Sequence, residues 1–178
     1  MHSAYRLFPS WRGLAVVLLT LALVAPLQAD NKEVLGYLEE IRLMELGWVM
    51  EAKLDTGATT SSLDAREIEP FEKDDGDWVR FKVVDRDTGT TSWLERPVAR
   101  TVGIKRHGGE SQTRYVVDLT FCIGNLKIKE EVSLTNREGF NSPVLVGRNH
   151  MAGRIIVDPA EQFTGTPNCA PDDTVDQK

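Results

Sequence analysis

The chain has 178 residues, 41% of them hydrophobic, with 27 acidic side chains against 21 basic ones and a net charge of −6. That length suffices for one domain with its own core. The acidic balance argues against a nucleic-acid footprint and against electrostatic docking on anionic lipid.

Residues 1–29 read as a signal peptide. Arg6 and Arg12 supply positive charge, and Gly13 to Ala25 form an apolar run too short to span a bilayer comfortably. Pro26-Leu27-Gln28-Ala29 offers the cut, although Leu27 is larger than the usual small residue, so an uncleaved membrane anchor is the competing reading. No cysteine follows the run to accept a lipid. The expectation is export to a bacterial periplasm, with membrane contact only if the segment stays uncleaved. The mature chain then holds 149 residues, 19 basic and 27 acidic, for a net charge of −8.

From Val34 to Leu54 the pattern gives two strands joined near Leu46-Gly47, with an amphipathic helix over Glu33 to Met44 as the competitor on periodicity alone. The second strand alternates, placing Met50, Ala52 and Leu54 on one face. It breaks into Asp55-Thr56-Gly57, a turn whose glycine tolerates backbone conformations closed to other residues. Glu67 to Asp77 reads as a solvated acidic loop, and Asp77 to Val84 alternates as a strand. Thr91 to Val102 returns as its partner, interrupted by Pro97, which favours a sheet edge and a hairpin projecting from the body at Asp85–Thr90.

His107-Gly108-Gly109-Glu110 is a loop. Arg114 to Ile123 and Leu126 to Thr135 flank Gly124-Asn125, a strong hairpin cue. Val144-Leu145-Val146 is a short buried strand, Arg148 to Ala152 a helical turn, and Ile155-Ile156-Val157 a last apolar run. From Thr164 onward Pro, Asn, Asp and Gly dominate, so residues 164–178 are expected to be a disordered tail behind a domain over 30–163. Export makes a disulfide chemically possible, and a buried free Cys122 competes evenly with a bridge from Cys122 to Cys169 in the tail. Many short strands and one short helix add up to an all-β, single-lobe, closed β-barrel.

Asp-Thr-Gly-Ala at residues 55–58 is expected by chance in well under about 1% of chains this long. Together with Pro143-Val144-Leu145-Val146-Gly147-Arg148-Asn149, it resembles the retropepsins, single-lobe aspartic peptidases of the retroviral type. The flanking text, including Leu134-Thr135-Asn136-Arg137, is more narrowly similar to a bacterial group often labelled ATP-dependent zinc proteases and also retropepsin-like. The resemblance covers roughly Gly36 to Pro159. It implies that the two segments lie side by side beneath an active site and that a projecting hairpin serves as a flap, here expected at Asp85–Thr90.

The resemblance also implies roles. Asp55 is the catalytic carboxylate, and the Thr56 hydroxyl reaches across a two-fold axis to the partner's loop. Gly57 and Ala58 offer backbone that approaches the substrate, while Gly147 and Arg148 support the loop from beneath. The viral enzymes carry an acid just past the position of Ala58 that pairs with the arginine; this chain has Thr59 and Thr60 there.

Aspartic peptidases use two close carboxylates sharing one proton. Asp87-Thr88-Gly89 repeats the tripeptide at a hairpin tip, with no apolar strand ending at it, so one chain supplies half a site. A homodimer is therefore expected, acting on a peptide or protein substrate. The mature histidines, His107 and His150, lie in no His-Glu-x-x-His motif, and no glycine loop cradles phosphate. No metal, ATP or other cofactor is expected. The competing function is a non-catalytic periplasmic peptide-binding module working by strand addition.

Overall fold

The computed structural model describes residues 32–104 and 112–170. The expected signal peptide, His107 and Gly108-Gly109 lie outside them.

Among the described residues, ten strands and one helical turn follow in chain order: β1 (Glu33–Leu43), β2 (Trp48–Leu54), β3 (Ser61–Lys73), β4 (Gly76–Val84), β5 (Thr91–Pro97), β6 (Arg100–Ile104), β7 (Gln112–Ile123), β8 (Leu126–Thr135), β9 (Val144–Val146), α1 (Arg148–Met151) and β10 (Ile155–Gln162). The alternation that left a helix open over residues 33–44 resolves as β1, because Leu35, Ile41 and Leu43 turn inward along an extended backbone.

Six strands close a barrel in the order β1-β2-β9-β3-β8-β7, and β7 returns to β1 with Ile41 opposite Ile123. Closure removes the open edges that a sheet of this size would expose. Its interior is filled by Ile41, Leu43, Leu63, Leu119, Phe121, Ile123, Val132 and Leu134, each no more than 1% exposed. The short β9 pairs parallel with the end of β2, Leu54 opposite Val146, and antiparallel with the start of β3, Ser62 opposite Leu145. That placement brings Asp-Thr-Gly and Gly-Arg-Asn together at one end of the barrel.

The acidic stretch expected as a loop is instead the outer half of β3. A bulge between Arg66 and Glu69, with Glu67 at a φ of 48°, lets the strand leave the barrel and continue in an outer sheet with β4 and β5. Val79, Phe81, Val83 and Leu94 give that sheet a buried face, which is why acidic residues on the other face do not prevent strand formation. β5 pairs with β4 and ends at Pro97, as its proline suggests.

The tail also departs from expectation as far as Ala170; residues 171–178 lie outside the described residues. β10 runs parallel to β1, crossing so closely at Gly36 that a Cβ there would lie 2.4 Å from the Glu161 carbonyl oxygen. Beyond it, the buried Glu39 carboxylate accepts hydrogen bonds from the amides of Gly36 (2.6 Å), Thr164 (3.1 Å) and Gly165 (3.0 Å). A disulfide joins Cys122 to Cys169, and Asn168 N–H donates to the Gly124 carbonyl at 2.8 Å. Part of the polar composition of this segment is thus committed to specific partners.

Candidate active site

Asp55 follows the last residue of β2 and inherits its direction from the barrel. Its N–H donates to the Val146 carbonyl at 2.9 Å, extending the β2–β9 ladder by one residue. Its Oδ1 accepts the Gly57 N–H at 2.8 Å, and the residue is only half-buried. No ion pair involves Asp55 among the described residues. The carboxylate is held in one orientation by a single local hydrogen bond and keeps most of its accepting capacity free.

The loop is supported from below by α1. Arg148 N–H donates to the Ala58 carbonyl at 2.9 Å and Asn149 N–H to the Thr59 carbonyl at 3.0 Å. The Arg148 guanidinium donates to the carbonyls of Thr56 (2.9 Å) and Gly57 (3.0 Å) and to Thr59 Oγ1 (2.6 Å). A neutral hydroxyl thus takes the place where the viral pattern has an acid, and the cation is satisfied chiefly by loop carbonyls. Gly147 is required by packing: a Cβ would stand 2.8 Å from the Thr60 carbonyl carbon and 2.9 Å from the Thr59 oxygen. The structure therefore brings together Asp55, Thr56, Gly57, Ala58, Gly147 and Arg148. Thr56 and Gly57 are exposed at the top of the loop, and the Thr56 hydroxyl makes no hydrogen bond among the described residues.

Beneath the loop lies a polar network that the sequence did not reveal. Ser61 Oγ accepts the Gly147 N–H at 2.9 Å and lies 3.1 Å from Asn149 Oδ1 and 2.8 Å from His150 Nδ1. A protonated Nδ1 saturates this hydroxyl, which then donates to Asn149 and accepts from the other two. Asn149 Nδ2 in turn donates to the Glu131 carbonyl at 2.7 Å. His150 is fully buried and stacks on Phe121 at 4.7 Å. Burial, with a smaller contribution from the Arg154 charge, pushes its pKa down to about 4. It is a neutral core histidine.

A second aspartate lies farther along β3. Asp64 is fully buried and accepts hydrogen bonds from Arg137 N–H (2.7 Å), Arg86 Nη2 (2.8 Å) and Arg66 Nη2 (3.3 Å). Burial alone would raise its carboxyl, but the hydrogen bonds from Arg137, Arg86 and Arg66 outweigh it and hold the group below its ordinary value. Arg86 also donates to the carbonyls of Arg137 and Phe140, at 2.6 and 2.8 Å.

This corrects the flap expectation. Arg86 belongs to the Asp85–Thr90 tip, and its five hydrogen bonds fasten that tip to the barrel, where Asp85 and Asp87 line a cleft with Val49, Met50 and Glu51 near the start of β2. Asp55 is at the other end of that strand. The hairpin that touches the active-site loop is β6–β7: Arg100 donates to Thr60 Oγ1 at 3.2 Å and to Glu131 Oε2 at 2.8 Å. No group of three His, Cys, Asp or Glu side chains that could hold a metal occurs among the described residues.

A family model described as RimB-like, retropepsin-like aspartic endopeptidase RimB, matches residues 34–168. The chain belongs to this family. The RimB-like match runs from β1 to Asn168, so it includes the Asp55 loop, the Gly147-Arg148 segment and most of the anchored tail. A solved structure of Lpg0085, a protein of unknown function from Legionella pneumophila, is 34% identical over 75% of this chain and 98% of its own, with a TM-score of 0.66. Curated relatives named probable alpha-L-glutamate ligase include one from Parasynechococcus marenigrum, 36% identical over 72% of this chain, and one from Shewanella pealeana, 33% identical over 76%. The matches span only 28% and 30% of those longer proteins.

Proposed function

We propose that this RimB-like chain is an exported aspartic endopeptidase whose active site forms across a two-fold homodimer. The observation that carries the reading is Asp55: half-exposed, oriented by Gly57 N–H, and mounted on a loop that Gly147 and Arg148 hold in place. A carboxylate left this free at a barrel end suits proton transfer rather than structure.

In the dimer, Asp55 of each subunit faces a shared water. One carboxylate takes a proton from the water as it attacks the scissile carbonyl carbon, and the protonated partner donates to the carbonyl oxygen. Collapse of the tetrahedral intermediate breaks the C–N bond and delivers a proton to the departing nitrogen. The free Thr56 hydroxyl at the loop top is available to bond the partner's loop. The Cys122–Cys169 bridge supports an oxidising compartment, as expected for export through residues 1–29.

The relatives' names favour a second reading, ligation of glutamate, which would require ATP. The span matched is less than a third of those proteins, and ligation and proteolysis meet at the same bond, an amide involving glutamate. Glutamate-containing peptides are therefore the first substrates to test. The deciding experiment incubates the mature chain with an acidic and a neutral peptide library, with and without ATP, beside Asp55→Asn. ATP-independent cleavage lost in Asp55→Asn supports the peptidase. ATP-dependent glutamate addition would establish the ligase, and peptide binding that survives without turnover would establish a strand-addition module.

A further inference from the structure

We propose that the cavity between β3, β7 and β8 is a binding site for a small anion, a carboxylate or phosphate group gripped by Arg114, with the positive charge of Arg66 beside it. The cavity measures about 300 Å³ and has Ala65 and Leu134 among its lining, with Thr135 and Asn136 as further polar groups. No residue of the Asp55 loop lines it. The inference is therefore independent of the peptidase reading.

The charge balance around the cavity is what asks for a ligand. Arg66, Arg86, Arg114 and Arg137 gather here, and the acids that pair with them are Asp64 and Glu138. Arg137 senses the excess: burial first, then the neighbouring Arg86 and Arg114 charges, lower its pKa against the opposing pull of Asp64. Glu67 also lines the cavity, but it forms an ion pair with Lys82 on β4.

Arg114 makes no ion pair among the described residues, and its Nε is buried without a hydrogen-bond partner; the same holds for Nε of Arg66. A guanidinium presents planar paired donors that match the two oxygens of a carboxylate or phosphate. Two guanidinium groups lining one pocket, that of Arg114 with no acidic partner among the described residues, and surplus positive charge in an otherwise acidic protein favour an anion.

The anion has two possible sources, a free metabolite-sized ion or an acidic side chain of a bound peptide. The test titrates the full mature chain carrying Asp55→Asn, which leaves peptides uncut, with inorganic phosphate, citrate and triglutamate at ionic strength matched by sodium chloride. Calorimetry and thermal melting are the readouts. Saturable binding of at least one probe is expected, weakened about tenfold or more by Arg114→Gln and less by Arg114→Lys, which keeps charge but not the fork. Tighter triglutamate than citrate or phosphate assigns the site to an acidic chain, and the reverse assigns it to a free ion. Because Arg114 carries no ion pair, Arg114→Gln should melt within a few degrees of the parent. Binding unchanged by Arg114→Gln, triglutamate binding lost in Arg100→Gln alone, or no binding beyond the chloride control would each overturn the proposal.

Discussion

Asp55 and Asp64 lie close in sequence, yet their surroundings differ in nearly every respect. Asp55 is half-exposed and accepts one hydrogen bond from the second residue after it. Asp64 is fully buried and accepts bonds from a backbone amide and two guanidinium groups. The arginines diverge in parallel. Arg148 satisfies loop carbonyls and leaves the nearby carboxylate alone, whereas Arg86 and Arg66 are consumed by theirs. A carboxylate that must exchange protons has to keep lone pairs uncommitted, and one that ties a barrel to its outer sheet must not.

The largest effect should come from Asp55→Asn, which removes the base while preserving shape. Turnover should fall about 10⁴-fold while the melting temperature moves little. A peptide-cleavage assay paired with a thermal melt separates the two. Asp64→Ala should do the reverse, costing about 2–3 kcal/mol in denaturant unfolding because it removes the buried acceptor shared by Arg137 N–H and the part-buried Arg86 and Arg66 guanidinium groups. Activity per folded molecule should be retained, so an Asp64→Ala protein that is stable but inactive would erase the distinction.

Acid should act on the buried groups in a definite order. His150 has a folded pKa of about 4, below its ordinary 6.5, so the unfolded chain binds the extra proton between those values. Stability should therefore fall as pH drops from about 6.5 to about 4, by on the order of 2–3 kcal/mol, and His150→Leu should flatten that interval. The lowered Asp64 carboxyl contributes stability above its ordinary value of 3.8 that is lost below it, as pH falls through its folded value. Stability measured across this range checks the order. Thr59→Val is the smallest change, about 1 kcal/mol, since Arg148 keeps its carbonyl partners. A much larger loss in its unfolding curve would mean that the threonine hydroxyl, not the loop carbonyls, satisfies the arginine.

Local alternation and turn chemistry carried most of the strand order, and the two segments of the candidate site were legible because each is a contiguous motif with a packing requirement. Gly147 illustrates this, since the backbone contacts that exclude a Cβ are made by the very loop it supports. What stayed hidden depends on distant pairings. The outer half of β3 looked like a loop because its acidic face hides the partner strand that buries the other. Residues 164–170 looked disordered because the ligands of Glu39 and the mate of Cys122 are far away in sequence. The burial of His150 was not legible because nothing local announces Phe121 and Ser61 against its ring. Asp85–Thr90 looked free because Arg86 finds Asp64 only in the folded chain.

The central claim is that two copies of Asp55 make one active site, and subunit mixing tests it most directly. Wild type and Asp55→Asn would be mixed at fixed total concentration, allowed to exchange, and assayed on a cleaved peptide. If both carboxylates are needed, activity follows the square of the wild-type fraction, and an equal mixture retains about one quarter of the wild-type rate. Activity proportional to the wild-type fraction, about one half in that mixture, would show that each chain works alone and would contradict the account.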